Sequence, residues 1–232
     1  MTTCNPFKAK SVSGGAGHAY EYPRLTPIHA KGQKVSRIDS KTTRVFGLVL
    51  AAGRSRRFGS DKRCALLPCG RSLLQASIGN AIGVFDEAWV VLRGDDDPAS
   101  LGMSDKVKIV RSPNADSGMG HSLAAGIAAL QSTEADAVAV LLADMPWIGE
   151  DVLIDLARLA NPDRIALPCY QGQRGHPVII GRRFWPELLQ LTGDQGARAV
   201  IVRHADRVDV MECDDAGVLQ DADTPEALSS ER

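Results

Sequence analysis

The run "AVAVLLA", Ala137–Ala143, is apolar at every position. A strand of a half-exposed sheet alternates apolar and polar side chains, so a run apolar on both faces belongs in the middle of a sheet covered by helices on each side. Val45–Leu50, Ala88–Leu92, Val107–Val110, Ile165–Leu167, Val178–Ile180 and Val208–Met211 read as further strands. Amphipathic stretches at Leu73–Val84, Ser122–Gln131, Asp151–Leu159, Trp185–Leu191 and Ala197–His204 read as helices between several of them. Strand and helix taking turns predicts an α/β three-layer sandwich with a Rossmann-like, mainly parallel sheet. In such sheets ligands sit beyond the carboxyl ends of the strands.

With 232 residues, 44% of them hydrophobic, the chain can build one substantial core and is short for two. Residues 44–232 are expected to form that single domain. Residues 1–43 carry seven lysines and arginines against Asp39 and Glu21, with several glycines and prolines and no sustained period, and read as a largely unstructured basic extension, an interaction arm or a solvated tail. The net charge of −1 gives no bulk reason to expect nucleic acid or a membrane surface as partner, so an anionic ligand must be held by a few placed groups. Five scattered cysteines without a CxxC pair suggest neither a disulfide framework nor a zinc site. With no long apolar span and no signal-peptide pattern, a soluble cytoplasmic protein is expected.

The strand Val45–Leu50 runs without pause into "AAGRSRRFGSDK", Ala51–Lys62. Small residues at Ala51, Ala52 and Gly53 let a ligand approach the backbone closely, and successive N–H groups in such a turn form an anion-binding concavity. Arg57 and Lys62 can neutralise the phosphates that settle there. Two commoner phosphate loops are excluded. GxxxxGK[ST] fails because Gly53 and Gly59 are separated by five residues, one too many, and Ser60-Asp61-Lys62 follows; GxGxxG fails because "GMGHSL" has Leu123 at the third glycine and no strand leading directly into it.

Asp144 follows the apolar run and is expected at the tip of a central strand, on the same rim as the basic loop. A carboxylate there suits Mg²⁺, which takes one or two protein carboxylates and fills its shell with water and phosphate oxygens. "DADTPE", Asp221–Glu226, reads locally as a helix start with Asp223 or Thr224 as cap and Pro225 at the first position. "GMGHSLAAGI", Gly118–Ile127, reads as a loop entering a helix with Ser122 near its start; its glycines allow flat contact with a ring, and the alternative makes Ser122 a helix cap and Gly118 and Gly120 simple turn residues. His176 before Pro177 is biased to extended backbone at a strand entrance. His121 reads as a surface residue, Trp89, Trp147 and Trp185 as packing residues, and the cysteines as structural.

"LAAGRSRRFGSDK" resembles the signature LAAGxSxRxGxxK of the nucleotidyltransferases that handle molybdenum cofactor and related substrates, with Phe58 where that family usually has methionine. "SPNADSGMGHSLAAGI", "LLADMPWI", "GQRGHPVII", "LTGDQGAR" and "DADTPEAL" resemble the family's later blocks in the same order, so the likeness spans residues 45–228. The LAAG form together with "RGHPV" is most similar to the molybdenum cofactor cytidylyltransferases. The resemblance implies the nucleotide-diphospho-sugar transferase type of fold and the transfer of CMP from CTP to a molybdopterin-type cofactor with release of pyrophosphate. It implies Arg57 and Lys62 as catalytic cations and Leu50, Ala51, Ala52, Gly53, Ser55, Gly118, Met119 and Ser122 as nucleotide-binding residues. Asp144 and Asp223 become ligands of Mg²⁺, with Asp221 as neighbour, and Arg174, Gly175 and His176 face the acceptor. A molybdoenzyme apoprotein is a further partner that the resemblance implies. Other readings stay open: the same chemistry with GTP or with a sugar or polyol phosphate, a nicotinamide-dependent reductase on this scaffold, and a non-catalytic carrier of molybdenum cofactor.

Overall fold

The computed structural model describes residues 43–55 and 58–228. The expected extension lies outside these residues except for Thr43.

The chain runs β1 (Val45–Leu50), α1 (Leu73–Val84), β2 (Glu87–Arg93), β3 (Val107–Ser112), α2 (Met119–Leu130), β4 (Ala137–Leu142), α3 (Glu150–Arg158), β5 (Ile165–Tyr170), β6 (Gln173–Arg174), β7 (Val178–Gly181), α4 (Trp185–Leu188), α5 (Arg198–Arg203) and β8 (Val208–Glu212). One sheet has the order β3-β2-β1-β4-β7-β5-β6, with β8 paired to β5. The pairs β1–β2, β2–β3, β1–β4 and β5–β8 are parallel; β7 runs antiparallel between β4 and β5, and β6 is a short hairpin return from β5.

β1 shows why the sheet needs two covering layers. Phe46, Leu48 and Leu50 point into one core with Leu123, Ile127 and Leu130 of α2 and Trp185 and Leu188 of α4. Val45 and Val49 point into the other, with Leu74, Ile78 and Ala81 of α1 and Leu156 of α3. All six residues of β1 are buried. The expected strand at Ala137–Ala143 is β4, split between the same two cores. Both helix and strand approach closely at Gly47, where a Cβ would meet the Phe85 ring at 2.8 Å.

Local chemistry sets the helix starts. α1 opens on a capping box: the Gln75 N–H donates to Ser72 Oγ and the Ser72 N–H to Gln75 Oε1. α2 begins at Met119, three residues earlier than expected, with Gly118 rather than Ser122 as its cap. Two further elements depart from expectation. The helix expected at Trp185–Leu191 is one turn, Trp185–Leu188, behind a 3-10 turn at Arg182–Phe184, and "DTPEAL" holds a 3-10 turn at Pro225–Leu228.

The chain leaves β1 towards β2 on one side and later returns to β4 on the other. That reversal of strand order opens a crevice at the carboxyl ends of β1 and β4.

Candidate active site

A cleft of about 510 Å³ lies at that crevice. Its floor is the β1 exit, Leu50 to Ser55, and its walls come from the turn before α2, from Asp144 beyond β4 and from Asp223 near the C-terminal end.

The β1 exit has the backbone of an anion cradle. The Ala51 N–H still belongs to the sheet, donating to the Val91 carbonyl at 3.0 Å. Among the described residues, no protein acceptor meets the N–H of Ala52, Gly53, Arg54 or Ser55. Ser55 has φ 50°, the left-handed conformation that turns consecutive amides into a concavity. Arg57, expected as a phosphate-binding cation, lies outside the described residues.

Lys62 stands in the 3-10 turn Lys62–Cys64, where Asp61 caps the start by accepting from the Arg63 N–H. The Lys62 ammonium donates to Asp144 Oδ2 at 2.7 Å and to Asp223 Oδ1 at 3.3 Å. Two carboxylates from distant parts of the sequence therefore converge on one cationic atom. Burial works against the Lys62 charge, but the two carboxylates outweigh it and hold the ammonium above its usual range. Asp144 is held from behind: Ser77 Oγ of α1 donates to the carbonyl of Ala143 at 3.0 Å. Asp223 is tied to it through the buried Ala222, whose N–H donates to the Asp144 carbonyl at 2.9 Å. Asp221, next in line, titrates above the usual carboxylate range through burial and the nearby charges of Asp223 and Asp144.

This donor set fits a hard divalent cation. Both groups are carboxylates, they converge on one positive charge, and their side chains keep 22% and 48% exposure towards the cleft, which leaves room for water and phosphate oxygens in the shell. The described residues contain no cluster of three or more ligating side chains, so protein groups alone would not complete the shell.

The opposite wall is the start of α2. Met119 is exposed, and Ser122 is buried with a face on the cleft. Gly118, at φ 120°, packs on the chain itself: a Cβ there would lie 2.3 Å from the Gly193 backbone, and the Gly120 N–H donates to the Gly193 carbonyl at 2.8 Å. The glycines of "GMGHSL" thus admit the loop "TGDQG", whose Asp194 completes this wall. Across the mouth, Arg54 makes a two-pronged ion pair with Asp116.

Arg174, Gly175 and His176 do not line this cleft among the described residues. Arg174 ends β6, and Gly175 and His176 begin the link to β7. The Gly175 N–H donates to the Pro168 carbonyl and the His176 N–H to the Val218 carbonyl, both at 2.8 Å, and a Cβ on Gly175 would lie 2.4 Å from the Val218 oxygen. Backbone packing therefore accounts for the glycine. The His176 imidazole is pushed below its usual range by burial, with the charge of Asp144 opposing; it lies within the field of the carboxylate end of the cleft.

One group of site residues escaped the sequence reading. Arg63 looks like one more charge in a basic loop, yet it is 3% exposed. Its Nη1 donates to the Ala51 carbonyl at 2.9 Å and to Asp96 at 2.6 Å, its Nη2 to Asp96 at 2.8 Å and Asp61 at 2.6 Å, and its Nε to Asp61 at 2.8 Å. Arg93, at the end of β2, donates to Asp96 and Asp61 at 3.1 Å each and reaches the Gly53 carbonyl at 3.5 Å. Arg63, with Arg93, holds the Asp96 carboxyl down at about 2 against the cost of its burial. Only the run Asp95-Asp96-Asp97 after a strand hints at this in sequence.

A parallel-centred α/β sheet with a carboxylate pair, a lysine and an amide-rich turn at its switch point is the build of a nucleotidyltransferase-type domain. Residues 47–208 match the MobA-like NTP transferase domain, and the chain belongs to that family. It is 32% identical over 194 residues to the purine catabolism protein PucB of Bacillus subtilis (strain 168), covering 78% of this chain and 93% of that protein. It is 29% identical over 194 residues to the nicotine blue oxidoreductase of Paenarthrobacter nicotinovorans, covering 79% and 94%. The crystal structure of Rv0371c from Mycobacterium tuberculosis H37Rv superposes with TM-score 0.68 at 26% identity, covering 80% of this chain and 95% of that one. The manganese complex of the same protein superposes with TM-score 0.60 at 25% identity, covering 74% and 88%. No described helix is long and apolar enough to cross a membrane.

Proposed function

We propose that this chain is a divalent-metal-dependent cytidylyltransferase that joins the CMP part of CTP to the terminal phosphate of a molybdopterin-type cofactor. The observation that carries the reading is the convergence of Lys62, Asp144 and Asp223 beside the open amides of Ala52 to Ser55. The family and the signature blocks of residues 45–228 support the reaction class; the base and the acceptor rest on the resemblance.

In this reaction an acceptor phosphate oxygen attacks the α-phosphorus, a new P–O bond forms, and the bond to the β-phosphate oxygen breaks to release pyrophosphate. The attacking oxygen already carries charge, so no side chain has to remove a proton, and positioning and charge neutralisation do the work. The loop amides would receive the phosphate oxygens, and Lys62, held protonated, would face the negative charge that grows on the leaving pyrophosphate. Arg57 would add a second cation. Asp144 and Asp223 would hold the Mg²⁺ or Mn²⁺ ion, which supplies charge neutralisation and orientation of the phosphates when bound. The manganese complex of Rv0371c supports a divalent ion on this scaffold. Met119 and Ser122 would flank the nucleoside, while Arg174 and His176 would serve the acceptor from beyond the carboxylate end.

Pyrophosphate release, measured with each of the four nucleoside triphosphates with and without molybdenum cofactor, tests the proposal. It predicts release with CTP and cofactor together. Release with GTP would change the donor nucleotide, and release only when a sugar or polyol phosphate replaces the cofactor would move the chain to another acceptor within the family; no release under any condition would favour a carrier. A second reading, a nicotinamide-dependent reductase, draws on the likeness to the nicotine blue oxidoreductase. Oxidation of NADPH with a quinone-like dye would favour it.

A further inference from the structure

An arginine next to the catalytic lysine would ordinarily be counted as another phosphate ligand. Arg63 has no donor left for that role: a guanidinium carries five N–H groups, and its Nε, Nη1 and Nη2 are spent on Asp61, Asp96 and the Ala51 carbonyl. The buried fork does something else. A peptide unit turned so that its N–H faces a ligand must put its carbonyl elsewhere, and beneath this loop two carbonyls are engaged: Ala51 by the buried Arg63 at 2.9 Å and Gly53, at the longer distance of 3.5 Å, by Arg93. Asp96 locks both guanidiniums in place, accepting also from the Arg93 N–H at 2.8 Å. Arg111 in turn donates to the carbonyls of Arg93 and Asp96.

We propose that Arg63 is a positioning residue for the nucleotide: with Arg93 and Asp96 it fixes the peptide planes of Ala51 to Gly53 from below, so that the loop presents its amides to the triphosphate before the ligand arrives. This inference rests on the reading of that loop as a polyphosphate cradle. It explains why so basic a loop spends a fully buried arginine on its own backbone: preorganised donors cost no reorganisation when charge arrives.

The test uses the double variant Arg63→Met/Asp96→Leu, since replacing both members of a buried ion pair by apolar side chains of similar size preserves folding better than removing one. Binding of inorganic tripolyphosphate and of Mg·CTP is measured by calorimetry, alongside thermal unfolding and amide hydrogen exchange of residues 52–55. Preorganisation predicts that both ligands bind the folded double variant about tenfold or more weakly, the scale at which small misplacements act. It also predicts that tripolyphosphate protects the loop amides in the wild type and not in the variant. A role confined to stability would lower the unfolding temperature and leave affinity and protection unchanged, and that result would overturn the inference. If the double variant does not fold, Arg63→Lys is read in the same way, because it keeps a charge on Asp96 but not the fork that reaches Ala51. A wild-type chain that bound neither ligand would overturn the cradle itself and this inference with it, a failure visible before any variant is made.

Discussion

Lys62 is the residue on which the two halves of the site meet. It faces Asp144 and Asp223 at 2.7 and 3.3 Å, and it stands in the loop that would carry the phosphates. Lys62→Ala is expected to lower the rate of pyrophosphate release by about 100-fold or more, in line with the loss of other electrostatic donors, while shifting the unfolding temperature by only a few degrees. A wild-type rate in that variant would remove its role. Asp96 makes a separate prediction, this time for stability. Its carboxyl titrates at about 2 in the fold against 3.8 for the free group. A depressed value means that the stabilisation is complete above the free value and is lost as the pH falls from about 4 towards about 2. By linkage it amounts to roughly 2 kcal/mol. Asp96→Asn should flatten that part of the acid unfolding curve, measured by denaturant titration at a series of pH values. Lys62, Asp144 and Asp223 were legible from the signature and from the position of Asp144 after an apolar run. Arg63 was not: sequence records a charge but not whether it faces water or a carbonyl.

At the scale of the element, strand β4 and helix α1 were legible because their patterns are uninterrupted, and the capping box Ser72 to Gln75 marks where α1 begins. The start of α2 was not, because the glycines of "GMGHSL" suggested a loop. In the fold they are glycines for the sake of a neighbour, the backbone of Gly193, which no local pattern encodes. Gly118→Ala is therefore expected to displace the Thr192–Asp194 loop and raise KM for the nucleotide with a smaller effect on the rate at saturation, measured by steady-state kinetics. The end of α2 depends on a remote residue as well. Arg182 donates to the carbonyls of Gln131, Thr133 and Ala135 beyond the last turn and stacks over Trp185 at 4.8 Å. Arg182→Met should cost about 1 kcal/mol, the scale of a few part-buried hydrogen bonds exchanged for water, read from urea unfolding at neutral pH.

For the whole molecule, the three-layer architecture followed from runs apolar on both faces alternating with helices. The antiparallel insertion of β7 between β4 and β5 did not, since strand order depends on pairings far apart in the chain. That order matters for function: it brings β1 and β4 side by side with their carboxyl ends open, and it returns the C-terminal segment so that Asp223 sits against Asp144. On the proposed reading, chelation of divalent ions should abolish pyrophosphate release, and added Mg²⁺ or Mn²⁺ should restore it. The most direct measurement is a crystal structure with Mn²⁺ and a non-hydrolysable CTP analogue, using the anomalous signal of the metal. The account predicts one manganese peak within bonding distance of both Asp144 and Asp223, with the triphosphate lying on the amides of Ala52 to Ser55. A metal bound away from either carboxylate, or a triphosphate held elsewhere on the molecule, would contradict it.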